Sequence, residues 1–249
     1  MQHSQNTSFF TTETHIKPIN PKILSWVLGG TAILMAAASL VCQYFIYFKQ
    51  VDLTRLLNLL DVDTELSLPT IYSVLLLFTA SLILMLITKM KKKEHNTFYY
   101  AWQILTLGFL YLTLDEGASL HEKLMTPIHN LLGDNMPGYF YFTWVIPALL
   151  GVGILALLFM KFLISLPKKT GIGFTLSGIV YIGGAVGMEL VSGAYASRFG
   201  LDNFTFNFLA TIEESLEMTG TVLFIHTLLD YLQTTYPSVH LWFKTDRTS

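Results

Sequence analysis

The stretch ILTLGFLYLTLDEGASLHEKLM, residues 104–125, changes from an apolar run to a polar segment within a few positions. The run before Asp115 carries no charge, whereas Asp115, Glu116, His121 and Glu122 follow in quick succession. An apolar helix that ends in charged residues is typical of a segment that crosses a membrane and emerges at its surface. The polar end of this stretch therefore predicts both a membrane boundary and a candidate site.

The chain on either side of this stretch is also apolar. Of its 249 residues, 52% are hydrophobic and 13% are charged, which leaves too few charges to cover a soluble protein of this size. The formal net charge of -2 predicts no nucleic-acid partner. A single cysteine, Cys42, lies within an apolar run and excludes an internal disulfide.

Six apolar segments are long enough to cross a hydrocarbon core, which takes about 20 helical residues. Short connections separate them, so the sequence predicts an all-α, polytopic membrane bundle of six transmembrane helices. The predicted spans are Ile23–Tyr47, Thr70–Thr88, Tyr99–Leu120, Tyr139–Leu166, Ile172–Ala196 and Phe204–Leu232. This division predicts a polar segment at residues 1–22, a transmembrane domain at 23–232 and a tail at 233–249.

The basic residues predict the orientation of the bundle. With a cytoplasmic amino terminus, 11 of the 15 Lys and Arg residues fall on the inner side, including the cluster between Lys89 and Lys93. Such an asymmetry favours a multi-pass protein of the cell membrane with both termini in the cytoplasm. In the first outer loop, Leu53, Leu56 and Leu60 at helical spacing predict a short interfacial helix, which is either a connector or a lid.

Acidic residues recur inside three of the predicted spans. Asp115, Ser119 and Glu122 fall at spacings of four and three, so they form one stripe of the third helix. Glu213, Glu214 and Glu217 lie in the sixth span and Glu189 lies in the fifth. Because small residues interrupt these stripes, we expect them to face neighbouring helices and to converge in the outer half of the membrane.

The charge balance of this acidic zone predicts a bound partner. It contains seven of the 17 acids, whereas only Lys123 and Arg198 lie nearby, at its rim. An ionised carboxylate without a neutralising partner in a medium of low dielectric constant costs on the order of several kcal/mol of free energy. Either some of them are protonated or bound cations neutralise them.

The combination of carboxylates with His121 is typical of sites for Zn, Fe or Mn, so we expect a divalent or redox metal ion. The expected metal ligands are Asp115, His121, Glu122, Glu214 and Glu217. The expected catalytic acid or base residues are Glu116, Glu213 and Glu189. Residues 214–217 also resemble the Glu-x-x-Glu carboxylate motif of ferric iron permeases, although Glu213 stands where those proteins carry arginine. That resemblance implies that this spacing can handle a cation.

These observations predict an integral membrane protein whose carboxylate and histidine site opens to the extracytoplasmic side. The sequence favours a metal-dependent enzyme, either a hydrolase or an oxidoreductase, that acts on a lipid or another membrane-soluble substrate. A divalent-cation or proton-coupled transporter and a structural membrane protein with polar helix packing remain open alternatives. The sequence predicts membrane lipid as a partner and no particular oligomeric state.

Overall fold

The computed structural model describes residues 20–133 and 136–237, and this part of the chain is helical without a β-strand. The all-helical prediction is therefore confirmed. The helices are α1 (Pro21–Lys49), α2 (Thr54–Leu60), α3 (Leu68–Lys93), α4 (Tyr99–Ala118), α5 (Met125–Leu132), α6 (Val145–Ser165), α7 (Lys168–Ile182), α8 (Glu189–Phe199) and α9 (Phe204–Thr235). A π-helical turn, Gly183–Met188, joins α7 to α8 into one continuous rod. The expected cytoplasmic termini lie largely outside the described residues.

Four helical segments in the described part of the chain are long and apolar enough to cross a membrane. They are α1, α3, α6 and the continuous rod Lys168–Phe199. The helices α4 and α9, which carry most of the acids of the predicted site, coincide with the third and sixth predicted spans but are less apolar. The short helix predicted in the first loop is present as α2.

Several predicted span ends differ from the structure by a few residues, and two of these differences change the site. The fourth span was expected from Tyr139, but α6 begins at Val145, after a short 3-10 turn at Gly138–Phe140. The third span was expected to reach Leu120, but α4 ends at Ala118 because Ser119 adopts a left-handed conformation with φ of 44°. Glu122 therefore does not share a helical stripe with Asp115.

Side-chain caps set several of the helix starts. Asn20 accepts a hydrogen bond from the backbone N–H of Lys22, immediately before Pro21. Ser67 caps α3 in the same way by accepting from the N–H of Thr70, and Asn203 caps α9. These side chains satisfy N–H groups that a helix leaves unpaired at its first turn.

Helix α9 lies at the centre of the bundle and packs on α1, α3, α7, α8 and the π-turn. Its closest neighbour is α7, because a Cβ atom at Gly220 would lie only 2.6 Å from the backbone nitrogen of Tyr181. Helix α4 packs along α3 instead, and α6 packs on α7. The acids of α9 therefore face other helices rather than the outside of the bundle.

The long helices alternate in direction, which gives the bundle two ends. We call one the basic end, where Lys91 pairs with Glu94 at 2.9 Å and Lys169 pairs with Asp230 at 2.8 Å. The opposite end, with the loops that follow α1, α4 and α8, is the acidic end.

A dense aromatic and aliphatic core fills the half of the bundle nearer the basic end. Trp102 of α4 is 1% exposed and contacts the rings of Phe162, Phe174 and Tyr231. Leu84 and Leu228 are fully buried in the same cluster. The acids of the candidate site lie in the other half of the bundle.

Candidate functional site

The end of α4 folds His121 back onto Asp115. The left-handed conformation of Ser119 reverses the chain, and the backbone N–H of His121 then donates to Asp115 Oδ1 at 2.8 Å. The other oxygen, Oδ2, lies 2.9 Å from His121 Nδ1. Two contacts from one carboxylate fix both the position and the orientation of the imidazole ring, leaving Nε2 as the nitrogen that can act on a ligand.

The electrostatic surroundings of His121 favour its charged form. Burial opposes a charge on the ring, but the hydrogen bond with Asp115 and the charges of Asp115, Glu189 and Glu122 outweigh it. Together they raise the pKa of His121 above its ordinary value. The imidazole is therefore a good proton acceptor that stays anchored to Asp115.

Trp144 connects this histidine to α8. Its indole ring lies 4.6 Å from the His121 ring, measured between centroids, and its Nε1–H donates to Glu189 Oε1 at 3.0 Å. Glu189 itself is 9% exposed. The loop before α6 thus brings the α4 and α8 parts of the site together, a role that the sequence did not indicate for Trp144.

A deeper part of the site lies between α3, α4, α7 and α9. A narrow cavity there is lined by Ser73, Glu116, Tyr181, Glu217 and Thr221, together with three apolar side chains. The Tyr181 hydroxyl faces the Glu217 carboxylate. Glu116 and Glu217, predicted from two different spans, therefore lie at the same cavity.

The π-turn allows α9 to approach closely at this depth. A Cβ atom at Gly184 would lie 2.8 Å from the backbone oxygen of Glu213 and 3.0 Å from Cγ of Glu217. π-helical turns are frequent at functional sites because they change which residues a helix presents to its neighbours. Here Gly184 lets the π-turn pack against the acidic segment of α9.

The loop after α2 adds acids that the sequence analysis did not include. Asp61 accepts hydrogen bonds from Ser39, Gln43 and Thr64, and the neighbouring Val62 is only 2% exposed. These contacts hold Asp63 near the acids of the site, including Glu122. Helical periodicity does not mark an acid in a loop, so sequence patterns do not single out Asp63.

The predicted site residues thus fall into two neighbouring groups. The outer group contains Asp115, His121 and Glu189, with Glu122 exposed at the rim. The inner group contains Glu116, Glu213, Glu214 and Glu217, whose carboxylates interact electrostatically with one another. Across the described residues, no three His, Cys, Asp or Glu side chains form a group that could hold a metal ion as arranged.

Basic side chains are not among the close charged neighbours of these acids. In the described segments, Lys91 and Lys169 form ion pairs, and both pairs lie at the basic end. The principal charged neighbours of Glu116, Glu189 and Glu217 are other acids and His121. The site therefore concentrates negative charge without a resident Lys or Arg to balance it.

An Asp63→Asn variant tests whether this loop belongs to the site. Burial, followed by the charges of Asp61 and Glu122, raises the pKa of Asp63 to about 7. When a carboxyl group has a higher pKa in the folded than in the unfolded state, the folded protein loses stability as the pH rises from the unfolded pKa through the folded pKa. Because Asp63 retains some access to solvent, we expect the variant to gain only about 1 kcal/mol in free energy of unfolding at pH 8. In a buffer that contains a metal chelator, this gain corresponds to a melting temperature roughly 2–4 °C above that of wild type.

At pH 5, nearer the lower end of this pH window, the gain of Asp63→Asn over wild type should be much smaller than at pH 8. Glu65→Gln, on the same loop at an exposed position, is the matched control and should leave the melting temperature unchanged at both pH values. A gain for Asp63→Asn that is equal at pH 5 and pH 8 would contradict the assignment of Asp63 to the acidic site.

A family model described as a domain of unknown function, DUF8692, matches residues 27–232. The chain belongs to this family. Comparisons with curated proteins and with solved structures found no match.

The DUF8692 region contains every residue of both site groups as well as Asp63, Ser73, Trp144 and Tyr181. It extends from α1 into the last turns of α9. The acidic end and the apolar core of the other half therefore both belong to the family domain.

Proposed function

We propose that this DUF8692 protein is a metal-dependent membrane hydrolase whose site opens at the acidic end of the bundle. The observation that carries the proposal is the double contact of Asp115 with His121, beside carboxylates whose principal charged neighbours among the described residues are other acids and His121. A carboxylate that holds Nδ1 of a histidine fixes the tautomer in which Nε2 can accept a proton. This arrangement favours acid–base chemistry over redox chemistry.

We further propose six membrane spans with both termini in the cytoplasm. Six long rods run between the two ends, and the central position of α9 shields its acids from lipid. The Lys residues at the end of α3 and the start of α7 lie at the basic end, which the distribution of positive charge assigns to the cytoplasm. The acidic end then faces the extracytoplasmic side of the cell membrane.

His121 is the base in the proposed reaction. Its Nε2 takes a proton from water while the water oxygen forms a bond to the carbonyl carbon of an ester or amide. The imidazolium then returns the proton to the leaving oxygen or nitrogen as the bond to the carbonyl carbon breaks. Asp115 is a positioning residue that holds the ring and stabilises its charge.

The acids of the inner group provide the negative charge that attracts a divalent cation. We assign this role to Glu214 and Glu217: Glu217 lines the cavity with Glu116, and Glu214 interacts electrostatically with both. A cation held by these residues would supply Lewis-acid chemistry toward the substrate carbonyl. Glu189 and Glu213 complete the acidic surroundings, and Glu122 lies at the entrance.

Lipid is the substrate class that this position favours. The site lies in one half of a membrane bundle, and α6 exposes most of its apolar side chains along the edge of that bundle. At the basic end, the Phe162 ring of α6 contacts Trp102 of α4. Because the exposed apolar face of α6 meets the surrounding lipid, a lipid ester or amide can approach the site laterally past α6 without crossing the membrane.

The packing of the opposite half argues against transport. Below the cavity, Leu84, Trp102, Ile225 and Leu228 are each at most 1% exposed. A permease needs a polar route that continues across the membrane. The apolar core interrupts such a route, so a pocket open to one side is better supported.

Metal analysis of the purified protein, together with hydrolysis of a fluorogenic lipid ester, tests the proposal. We expect about one equivalent of divalent metal in wild type and loss of most of it in a Glu214→Gln and Glu217→Gln double variant, because both charged ligands are removed. The Glu65→Gln variant should keep wild-type metal content and activity. Equally low metal in wild type and double variant would overturn the metal-dependent mechanism, and cation flux into proteoliposomes would favour the transporter.

A further inference from the structure

The narrow cavity between α3, α4, α7 and α9 contains a buried hydroxyl group without a partner. Ser73 is 6% exposed, and its Oγ makes no hydrogen bond within 3.5 Å, although it lies close enough to the Glu116 carboxylate to interact with it electrostatically. A buried polar atom that lacks a partner costs about 1–3 kcal/mol. Such an atom facing two carboxylates indicates a ligand that would be bound by all three groups.

Other α3 serines show that this arrangement is particular to Ser73. Ser81 is fully buried on the same helix, but its Oγ donates to the backbone oxygen of Phe78 at 2.7 Å. Ser67 caps the first turn of α3. Ser73 therefore differs from its neighbours in having its hydroxyl directed into the cavity rather than satisfied by its own helix.

The polar atoms that line this cavity are all oxygens. They come from Ser73, Glu116, Tyr181, Glu217 and Thr221, and the histidine of the site is held by Asp115 instead. Carboxylate and hydroxyl oxygens prefer hard cations, whereas Zn and other borderline metals prefer sites that include nitrogen or sulfur. The donor set of the cavity thus differs from the mixed set expected from the sequence.

The shape of the cavity selects further among hard cations. Its apolar walls are formed by Leu76, Leu77 and Met218, and as it stands it has no room for a water molecule, so a bound ion would be ligated directly by the side chains. Mg²⁺ gives up its water reluctantly and keeps several water ligands, whereas Ca²⁺ accepts irregular oxygen coordination at longer distances. A narrow, oxygen-lined cavity with two carboxylates therefore favours a divalent cation that sheds its water readily.

We propose that Ser73, Glu116 and Glu217 bind Ca²⁺, or a closely similar hard divalent cation, with Ser73 Oγ as a direct ligand. This inference rests on the proposed function, because it names the cation of that site. It also separates two roles: the inner oxygens hold the cation, and His121 with Asp115 handles the proton. Ser73 then gains in the bound state the partner that it lacks in the present structure.

The test uses full-length protein in lipid nanodiscs, stripped of metal by a chelator and titrated separately with CaCl₂, MgCl₂ and ZnCl₂. Binding is measured by calorimetry and by the shift in melting temperature. We expect Ca²⁺ to bind more tightly than Mg²⁺ to wild type. Ser73→Ala should weaken Ca²⁺ binding about tenfold, and Glu217→Gln about a hundredfold, since affinity depends on ligand number and charge.

Ser81→Ala is the matched control, because it removes a buried hydroxyl from the same helix outside the cavity. It should bind Ca²⁺ as wild type does. Without cation, Ser73→Ala should melt no lower than wild type, because the hydroxyl that it removes has no partner. A lower melting temperature for Ser73→Ala with unchanged Ca²⁺ affinity would show a structural role for Ser73 and overturn the inference.

The same titrations separate this inference from the proposed function. Zn²⁺ binding that depends on His121 and not on Ser73, without Ca²⁺ binding, would overturn the inference while supporting a metal-dependent enzyme. Binding of none of the three cations would overturn both. Ca²⁺ binding that depends on Ser73 and Glu217 would support the inference, and hydrolysis by the loaded protein would then test the reaction separately.

Discussion

An Asp115→Asn variant is expected to lose roughly 10³–10⁴-fold of the hydrolytic rate while keeping its fold. Asp115 contacts both the backbone N–H and Nδ1 of His121. An asparagine can still accept from the backbone N–H through Oδ1, but its NH₂ group then faces Nδ1 and donates to it. The ring proton would move to Nε2, and the nitrogen needed as a base would become a donor.

The tautomer of His121 can be measured without a known substrate. At a pH above the raised pKa of His121, where the ring is neutral, nitrogen-15 NMR of labelled imidazole should show the proton on Nδ1 in wild type and on Nε2 in Asp115→Asn. Asp230→Asn makes the same chemical change in an ion pair at the basic end and should leave both the tautomer and hydrolysis unchanged. An Asp115→Asn protein with wild-type activity would remove His121 from the proposed mechanism.

A Gly220→Ala variant is expected to cause the largest loss of stability among the single substitutions proposed. The new methyl group would meet backbone atoms of Tyr181 at 2.6 and 2.8 Å, and a backbone cannot turn aside as a flexible side chain can. Separating α7 from α9 should cost about 3 kcal/mol, or roughly 6–12 °C in melting temperature. Because Tyr181 lines the inner cavity, cation binding should weaken as well.

Gly178→Ala provides the comparison within the same helix pair. No atom lies within 4 Å of the position that its Cβ would occupy, and alanine favours the helix over glycine. We therefore expect an unchanged or slightly higher melting temperature for Gly178→Ala. Equal losses in the two variants would mean that close packing of α7 on α9 does not explain the need for Gly220.

The residues that define the helices illustrate what could be predicted from sequence. The apolar runs of α1, α3 and α6 are long enough to specify membrane helices by themselves, and the structure has helices at those positions. Leucines at helical spacing in the first loop similarly predicted α2. Hydrophobic length and periodicity are properties of neighbouring residues, so a single chain segment contains all the information needed.

The boundaries of the helices were harder to predict because they depend on single backbone conformations. Ser119 takes a left-handed conformation that non-glycine residues rarely adopt, and the contacts of His121 with Asp115 stabilise the reversal. The apolar residues before Val145 read as part of a helix, but they form turns that position Trp144. In both places, contacts across the site override the local pattern.

The sequence by itself determined the helical class, the approximate positions of the long helices and the excess of acids over bases in one zone. Only the tertiary structure decided that His121 is held by Asp115, that Glu116 shares a cavity with Glu217 and that a loop brings in Asp63. The physical reason is that helix formation follows from local hydrophobicity and spacing. The site depends instead on the close approach of α7 to α9 at Gly184 and Gly220, which involves segments far apart in the chain.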